Sequence, residues 1–129
     1  MKLLDTCFLI DLQREFKAGK TGDARKYLEQ HPDTPFAVSV VSATEYLEGF
    51  GDIQTGERHL RSFRWLNMNP PVAREAAIIR RFLRLSGQLI GDFDILIAAT
   101  AKATGVPLVT DNMEHFQRVE GLEVETYRK

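Results

Sequence analysis

Five short apolar segments, each separated from the next by helix-forming sequence, constrain this chain more than any other feature. Residues 2–5, Phe36–Ser39, and residues 63–68, 106–110 and 122–126 read as strands. Residues 7–15, Asp23–Gln30 and residues 42–50 read as helices, with 31–35 a breaker-rich loop and Ser42 the predicted N-cap of the third helix. A long helix follows Asn69-Pro70-Pro71, runs through Arg84 and stops near Gly87. Another spans Asp92–Thr104 and ends at Gly105, where a C-terminal glycine is expected. Strands separated by helices are joined by crossovers, which make parallel pairs. The expected fold is therefore α/β, a mostly parallel central sheet flanked by helices on both faces. No repeat, low-complexity stretch or linker divides the 129 residues, which are read as one domain over 1–129.

Bulk properties exclude some function classes and weigh against others. A single cysteine, Cys7, excludes an internal disulfide and zinc sites built from several thiolates. No apolar run is long enough to cross a bilayer. An acid within the first five residues and no small-residue cleavage site argue against a secretory leader, so a cytoplasmic protein is expected. Seventeen basic against eighteen acidic residues give a charge of −1. A chain holding nucleic acid by bulk electrostatics is normally far more basic. Any RNA contact must therefore use local cations or metal ions.

Four segments carry acids where chemistry is expected. Leu3-Leu4-Asp5-Thr6 delivers Asp5 at a strand end, where ligands collect in parallel sheets, although an aspartate there also caps the following helix. In Ser42-Ala43-Thr44-Glu45-Tyr46-Leu47-Glu48, either Glu45 or Glu48 faces inward, and an inward glutamate needs a partner. Asp92-Phe93-Asp94 opens a helix that is apolar almost all round. Two residues apart, these acids point about 200° from each other, so at most one belongs to a compact site. Leu108-Val109-Thr110-Asp111-Asn112 ends a strand in oxygen donors suited to Mg²⁺ or Mn²⁺, or equally to an Asx turn.

In order and in local context, the four segments resemble the signature of PIN-domain ribonucleases, the VapC-type toxins of VapBC toxin–antitoxin systems. The strand with Asp5-Thr6, the Ala43-x-Glu45-x-x-x-Gly49 helix start, Asp94-x-x-Ile97-Ala98-Ala99, and the strand with Thr110-x-Asn112 and a later Phe116 carry the likeness. The resemblance implies a Mg²⁺- or Mn²⁺-dependent endoribonuclease. It places Asp5, Glu45 and Asp94 at the metal and adds Asp111 to the catalytic set, with Thr6, Thr110, Asn112, Asp92 and His115 as supporting candidates. It further implies an antitoxin partner and a homodimer or higher assembly. Phe8, Leu12, Phe16, Tyr46 and Phe50, on the two helices flanking the site, are either an apolar groove for that partner or residues that simply fill the core. This sequence departs from the family at two places. Cys7 stands where asparagine or serine is usual, and is expected to act as a small buried hydrophobe. In the last segment Asn112 stands where many relatives have an acid, with Asp111 one residue early. His115 stands where others carry an acid before the Phe, leaving the fourth ligand open among Asp111, Asn112 and His115.

No serine or cysteine nucleophile has a base beside it in sequence, and the histidines lack zinc-like spacing. His31 and His59 are expected to be ordinary surface residues. On the long helix, Arg74, Arg80, Arg81 and Arg84 share an arc with Ala73 and Ala77, opposite Ile79, Phe82 and Leu83. That arc is either a solvated face or an RNA-phosphate surface, and Arg58, Arg61 and Arg64 carry the same ambiguity. Three other classes stand beside the nuclease. A dehalogenase-type phosphoryl-transfer enzyme wants an acid where Cys7 sits. A receiver domain wants a lysine after its late strand. A non-catalytic PIN-fold interaction module differs only in activity.

Overall fold

The computed structural model describes all residues from Met1 to Lys129. Strands β1 (Lys2–Leu4), β2 (Phe36–Ser39), β3 (Arg64–Leu66), β4 (Leu108–Thr110) and β5 (Val124–Thr126) form one sheet in the order β3-β2-β1-β4-β5. Every neighbouring pair is parallel. The connecting helices are α1 (Thr6–Ala18), α2 (Asp23–Gln30), α3 (Val40–Glu48), α4 (Ile53–His59), α5 (Pro70–Leu85), α6 (Asp92–Thr104) and α7 (Met113–Phe116). The strands are shorter than expected. At β4, Pro107 has no N–H to give to the ladder, so the strand begins after it.

The pleat sends alternate residues into two cores. Leu3, Ala37 and Leu108 meet Val72, Ile79 and Leu83 of α5, Ile95 and Ile97 of α6, and Phe116. Leu4, Val38 and Val109 meet Phe8 and Leu9 of α1, Tyr46 of α3, and Tyr127. Apolar residues on both faces explain why the strands show no polar alternation. Helix α6 is buried along most of its length because it lies between the sheet and α5.

Several local expectations change. Helix α3 begins at Val40, not at Ser42. Ser39 is its cap, its hydroxyl accepting from the Ser42 N–H at 3.0 Å, while Ser42 itself is buried with an unpaired hydroxyl. Ser39 ends β2 with extended backbone, so the chain turns straight from strand into helix. Helices α4 and α7 are too short to show a period in sequence. In α4, Gly56 allows a close approach to α3, since a Cβ there would lie 2.7 Å from Leu47 Cδ2. Phe82 was expected in the core but is half-exposed, because the buried stripe of α5 is Val72, Ala76, Ile79 and Leu83. Phe82 thus joins Ile78 and Leu85 among the arginines of the outer face.

The topology fixes where chemistry can occur. From β1 the chain steps to β2 and β3, then crosses to β4 on the other side of β1. The crevice at this reversal lies beyond the carboxyl ends of β1 and β4, where Asp5 and Asp111 follow. No helix is long and apolar enough to cross a membrane.

Phe8 ties α1 to the C-terminal segment. It is fully buried and meets the Tyr127 ring edge-to-face, with centroids 4.7 Å apart. Phe8→Ala is expected to lower unfolding free energy by about 3–5 kcal/mol, through lost burial and an unfilled cavity. Urea denaturation followed by far-UV circular dichroism measures it, and a loss below ~1 kcal/mol would contradict the packing described.

Candidate active site

Asp5 is the centre of the acidic crevice. It caps α1: its Oδ1 accepts from the Thr6 N–H at 2.8 Å, and its extended φ/ψ hands the chain from β1 to helix. Oδ2 accepts from the Thr110 hydroxyl at 2.7 Å and, more weakly, from the Cys7 thiol at 3.3 Å. Of roughly four lone-pair positions on a carboxylate, three are therefore engaged, leaving one directed by its neighbours. The side chain is nearly inaccessible to solvent, with the residue 5% exposed. Burial pushes its pKa above the usual carboxylate range. The hydrogen bonds from Thr110 and the Thr6 N–H oppose that shift, and the charge of Asp94 adds to it. Capping and site membership are thus two functions of one side chain.

Around Asp5 lies an open depression of about 360 Å³ lined by Asp5, Thr6, Cys7, Ile10, Glu45, Asp94, Asp111 and Asn112. Glu45, not Glu48, is the glutamate of α3 that turns to this depression. Its Oε1 accepts from the Thr6 hydroxyl at 2.7 Å, while Glu48 is exposed. Asp94 lines it too, whereas Asp92 points away and pairs with Arg80 at 3.2 Å. Thr110 sits at the base, donating to Asp5 and accepting from the Asn112 N–H at 3.0 Å. His115 flanks the depression. The Asn112 amide lies 2.9 Å from its Nδ1. An amide nitrogen can only donate, so Nδ1 is an acceptor there, and its 3.5 Å approach to Asp94 is not a hydrogen bond.

Cys7 is more than a filler, since its sulfur touches both Asp5 and Thr110. Burial, and then the Asp5 carboxylate, push its pKa well up, so it stays a thiol and has no nucleophilic character. The sequence reading missed three residues here. Arg128 donates through Nη2 to Asp111 at 3.1 Å and to Asp11 at 2.6 Å, and the Tyr127 hydroxyl donates to Asp11 at 2.5 Å. For Tyr127 and Arg128 the available signal was their position directly after β5, whereas Asp11 lies on α1 and nothing in sequence pointed to it.

Outside the crevice, Arg74, Arg81 and Arg84 are exposed on α5 and make no ion pair, whereas Arg80 is taken by Asp92. Arg58 and Arg61 line a separate open depression with Trp65. A third depression, about 390 Å³ and mainly apolar, lies among Leu9, Leu12, Phe16, Leu28, Tyr46, Leu60 and Phe63. Leu12, Phe16 and Tyr46 were expected at a partner groove. Phe8 lies wholly in the core instead, and Phe50 packs against Tyr46 and His59. His59 is exposed as expected, but its Nδ1 is 2.9 Å from the Tyr46 hydroxyl and its ring helps line that groove.

The family model for the PIN domain matches residues 2–122. Ribonuclease VapC10 of Mycobacterium tuberculosis is 40% identical over 93 residues, 70% of each chain. Ribonuclease VapC1 of Methanocaldococcus jannaschii is 30% identical over 131 residues, spanning 98% of this chain and 87% of its own. The chain belongs to the VapC-type PIN-domain ribonucleases. A toxin–antitoxin complex from Klebsiella pneumoniae has the same fold, with a TM-score of 0.78 and 25% identity over 100% of this chain and 99% of that one.

The residues of this PIN domain fit the divalent ion its family implies. The donors are hard oxygens, and a buried carboxylate whose charge is disfavoured by burial and by Asp94 is one that a cation would stabilise. No three of its histidine, cysteine or acidic side chains form a closed cage. An ion there would be held largely through its own water shell, as Mg²⁺ commonly is.

The raised pKa of Asp5 has a consequence for metal-free protein. Above the ordinary carboxylate pKa the folded state holds the Asp5 proton more tightly than the unfolded chain does. Stability therefore falls as pH rises through that window. Asp5→Asn carries no such charge and should flatten the decline. Urea midpoints between about pH 4 and pH 8 in chelator test this, and a steeper decline in the variant would contradict it.

Proposed function

We propose that this chain is a metal-dependent endoribonuclease, the toxin of a toxin–antitoxin pair, which hydrolyses RNA phosphodiester bonds in the cytoplasm with Mg²⁺ or Mn²⁺. The observation that carries the reading is the convergence of Asp5, Glu45 and Asp94, from three separate elements, on one open depression in a VapC-type chain. These three carboxylates would hold the cation, directly or through its bound waters. When bound, the cation supplies Lewis acidity, making water more acidic and offsetting charge that builds on the phosphoryl oxygens. Thr110 and the Thr6 N–H fix the Asp5 carboxylate in one orientation, and the Thr6 hydroxyl does the same for Glu45. Asn112 and His115 form a hydrogen-bonded pair at the rim beside Asp94, poised to orient a water or a strand.

Asp94→Asn and Asp5→Asn are expected to lower Mg²⁺-dependent cleavage of single-stranded RNA on the order of a hundredfold or more, since loss of even outer-shell groups costs 10–100-fold. Asp92→Asn, which removes only an exposed ion pair, should stay within about twofold of wild type. Circular dichroism confirms that each variant is folded. An inactive Asp92→Asn beside an active Asp94→Asn would reverse the assignment. One observation favours a second reading, an interaction module without catalysis: no free fourth acid is present, since Asp111 is paired with Arg128. Wild-type protein with no metal-dependent RNase activity would support that module.

The antitoxin of this pair sits in the apolar groove between α1, α2 and the segment around Leu60–Ser62. Phe16 is 76% exposed at its wall, a large apolar surface with no partner in the chain. The strip of Ile78, Phe82 and Leu85 on α5 serves self-association. Phe16→Glu is expected to weaken binding of the co-expressed antitoxin by about 10–100-fold, a typical anchor loss, while leaving free-enzyme cleavage unchanged. Calorimetric titration of the purified pair measures it, and unchanged affinity would move the interface elsewhere.

A further inference from the structure

Four carboxylates line the acidic depression, yet they are not equivalent. Asp5, Glu45 and Asp94 make no ion pair with any lysine or arginine, whereas Asp111 is paired with Arg128 at 3.1 Å. The guanidinium making that pair is held from several sides. The same Nη2 donates to Asp11 at 2.6 Å, and the group stacks 5.3 Å from the Tyr127 ring. Tyr127 is buried, with its hydroxyl on Asp11. A surface arginine ordinarily samples many rotamers, but this one is fixed by two carboxylates and an aromatic face. Asp11, one α1 turn beyond Cys7, does not line the depression; its Oδ2 accepts from both Arg128 and the Tyr127 hydroxyl and so anchors the C-terminal segment on α1.

We propose that Arg128 is a positioning residue that withdraws Asp111 from the metal shell, making this a one-ion site served by Asp5, Glu45 and Asp94. The inference rests on the metal-dependent reading above. Its logic is charge balance. A two-ion centre holds two dications about 3.5–4 Å apart and needs enough carboxylate charge to keep them there. With Asp111 neutralised and hydrogen-bonded elsewhere, three carboxylates remain, which suits a single dication carrying waters. Freeing Asp111 would add a fourth carboxylate on the wall of the same depression. Arg128 therefore acts through Asp111 and not on the substrate.

The test is calorimetric titration of metal-free protein with Mn²⁺ alone, so no turnover is involved. Wild type is expected to bind one Mn²⁺ per chain. Arg128→Ala and Arg128→Gln should bind a second Mn²⁺, or bind the first at least tenfold tighter, while Arg128→Lys, which keeps the charge, stays close to wild type. Asp111→Asn should leave wild-type binding unchanged. In the double variant Arg128→Ala/Asp111→Asn, binding should return to the wild-type value, which a general loosening of the C-terminal segment would not produce. Two Mn²⁺ ions on wild type, weaker binding in Asp111→Asn, or unchanged binding in both neutral Arg128 variants would overturn the inference while leaving the metal reading intact. Wild type that binds no Mn²⁺ would overturn both.

Discussion

The structure depends on one carboxylate that is buried before anything pays for it. Asp5 follows the central strand directly, so the same turn that starts α1 drives a charged group beneath the surface. Its hydrogen bonds come from the neighbouring strand β4, through Thr110, and from the helix it caps, through Thr6 and Cys7. Removing its charge would relax the metal-free fold, and keeping it gives a cation a reason to bind. A group that is costly alone and favourable with a ligand marks a site built for that ligand.

Around that point the charge is distributed with some economy. A chain of net charge −1 has little cationic potential for drawing in RNA, and its acids are concentrated where a metal ion would invert the local sign. No lysine or arginine pairs with Asp5, Glu45 or Asp94. Arg80 is spent on Asp92, outside the depression, and Arg128 is spent on Asp111 and Asp11 at the rim. The remaining arginines of α5 stand among Ile78, Phe82 and Leu85, a mixed surface better suited to protein contact than to a phosphate track alone.

The apolar groove and the acidic depression share α1. Ile10 faces the acids, while Leu9, Leu12 and Phe16 face the groove. A single helix, whose N-cap is Asp5 itself, thus lines both the acidic depression and the apolar groove.

Much of this was legible in the residues. Apolar runs with no polar alternation, spaced by helices, determine a parallel sheet covered on both faces, because only such strands are buried on both sides. Strand ends determine where Asp5 and Asp111 lie. The helical period alone separates Asp92 from Asp94, since two residues along a helix cannot face one depression. What only the tertiary structure decided are the matters that depend on distance between segments. The helical pattern left Glu45 and Glu48 open and only the motif likeness chose Glu45; in space it is Glu45 that accepts from the Thr6 hydroxyl. Ser39 rather than Ser42 caps α3 because β2 runs into the helix without a loop. Asp111 is set apart from the other acids by an arginine more than a dozen residues later, brought beside it when β5 aligns with β4. Periodicity is a property of neighbours along the chain, whereas the pairing of charges is a property of neighbours in space.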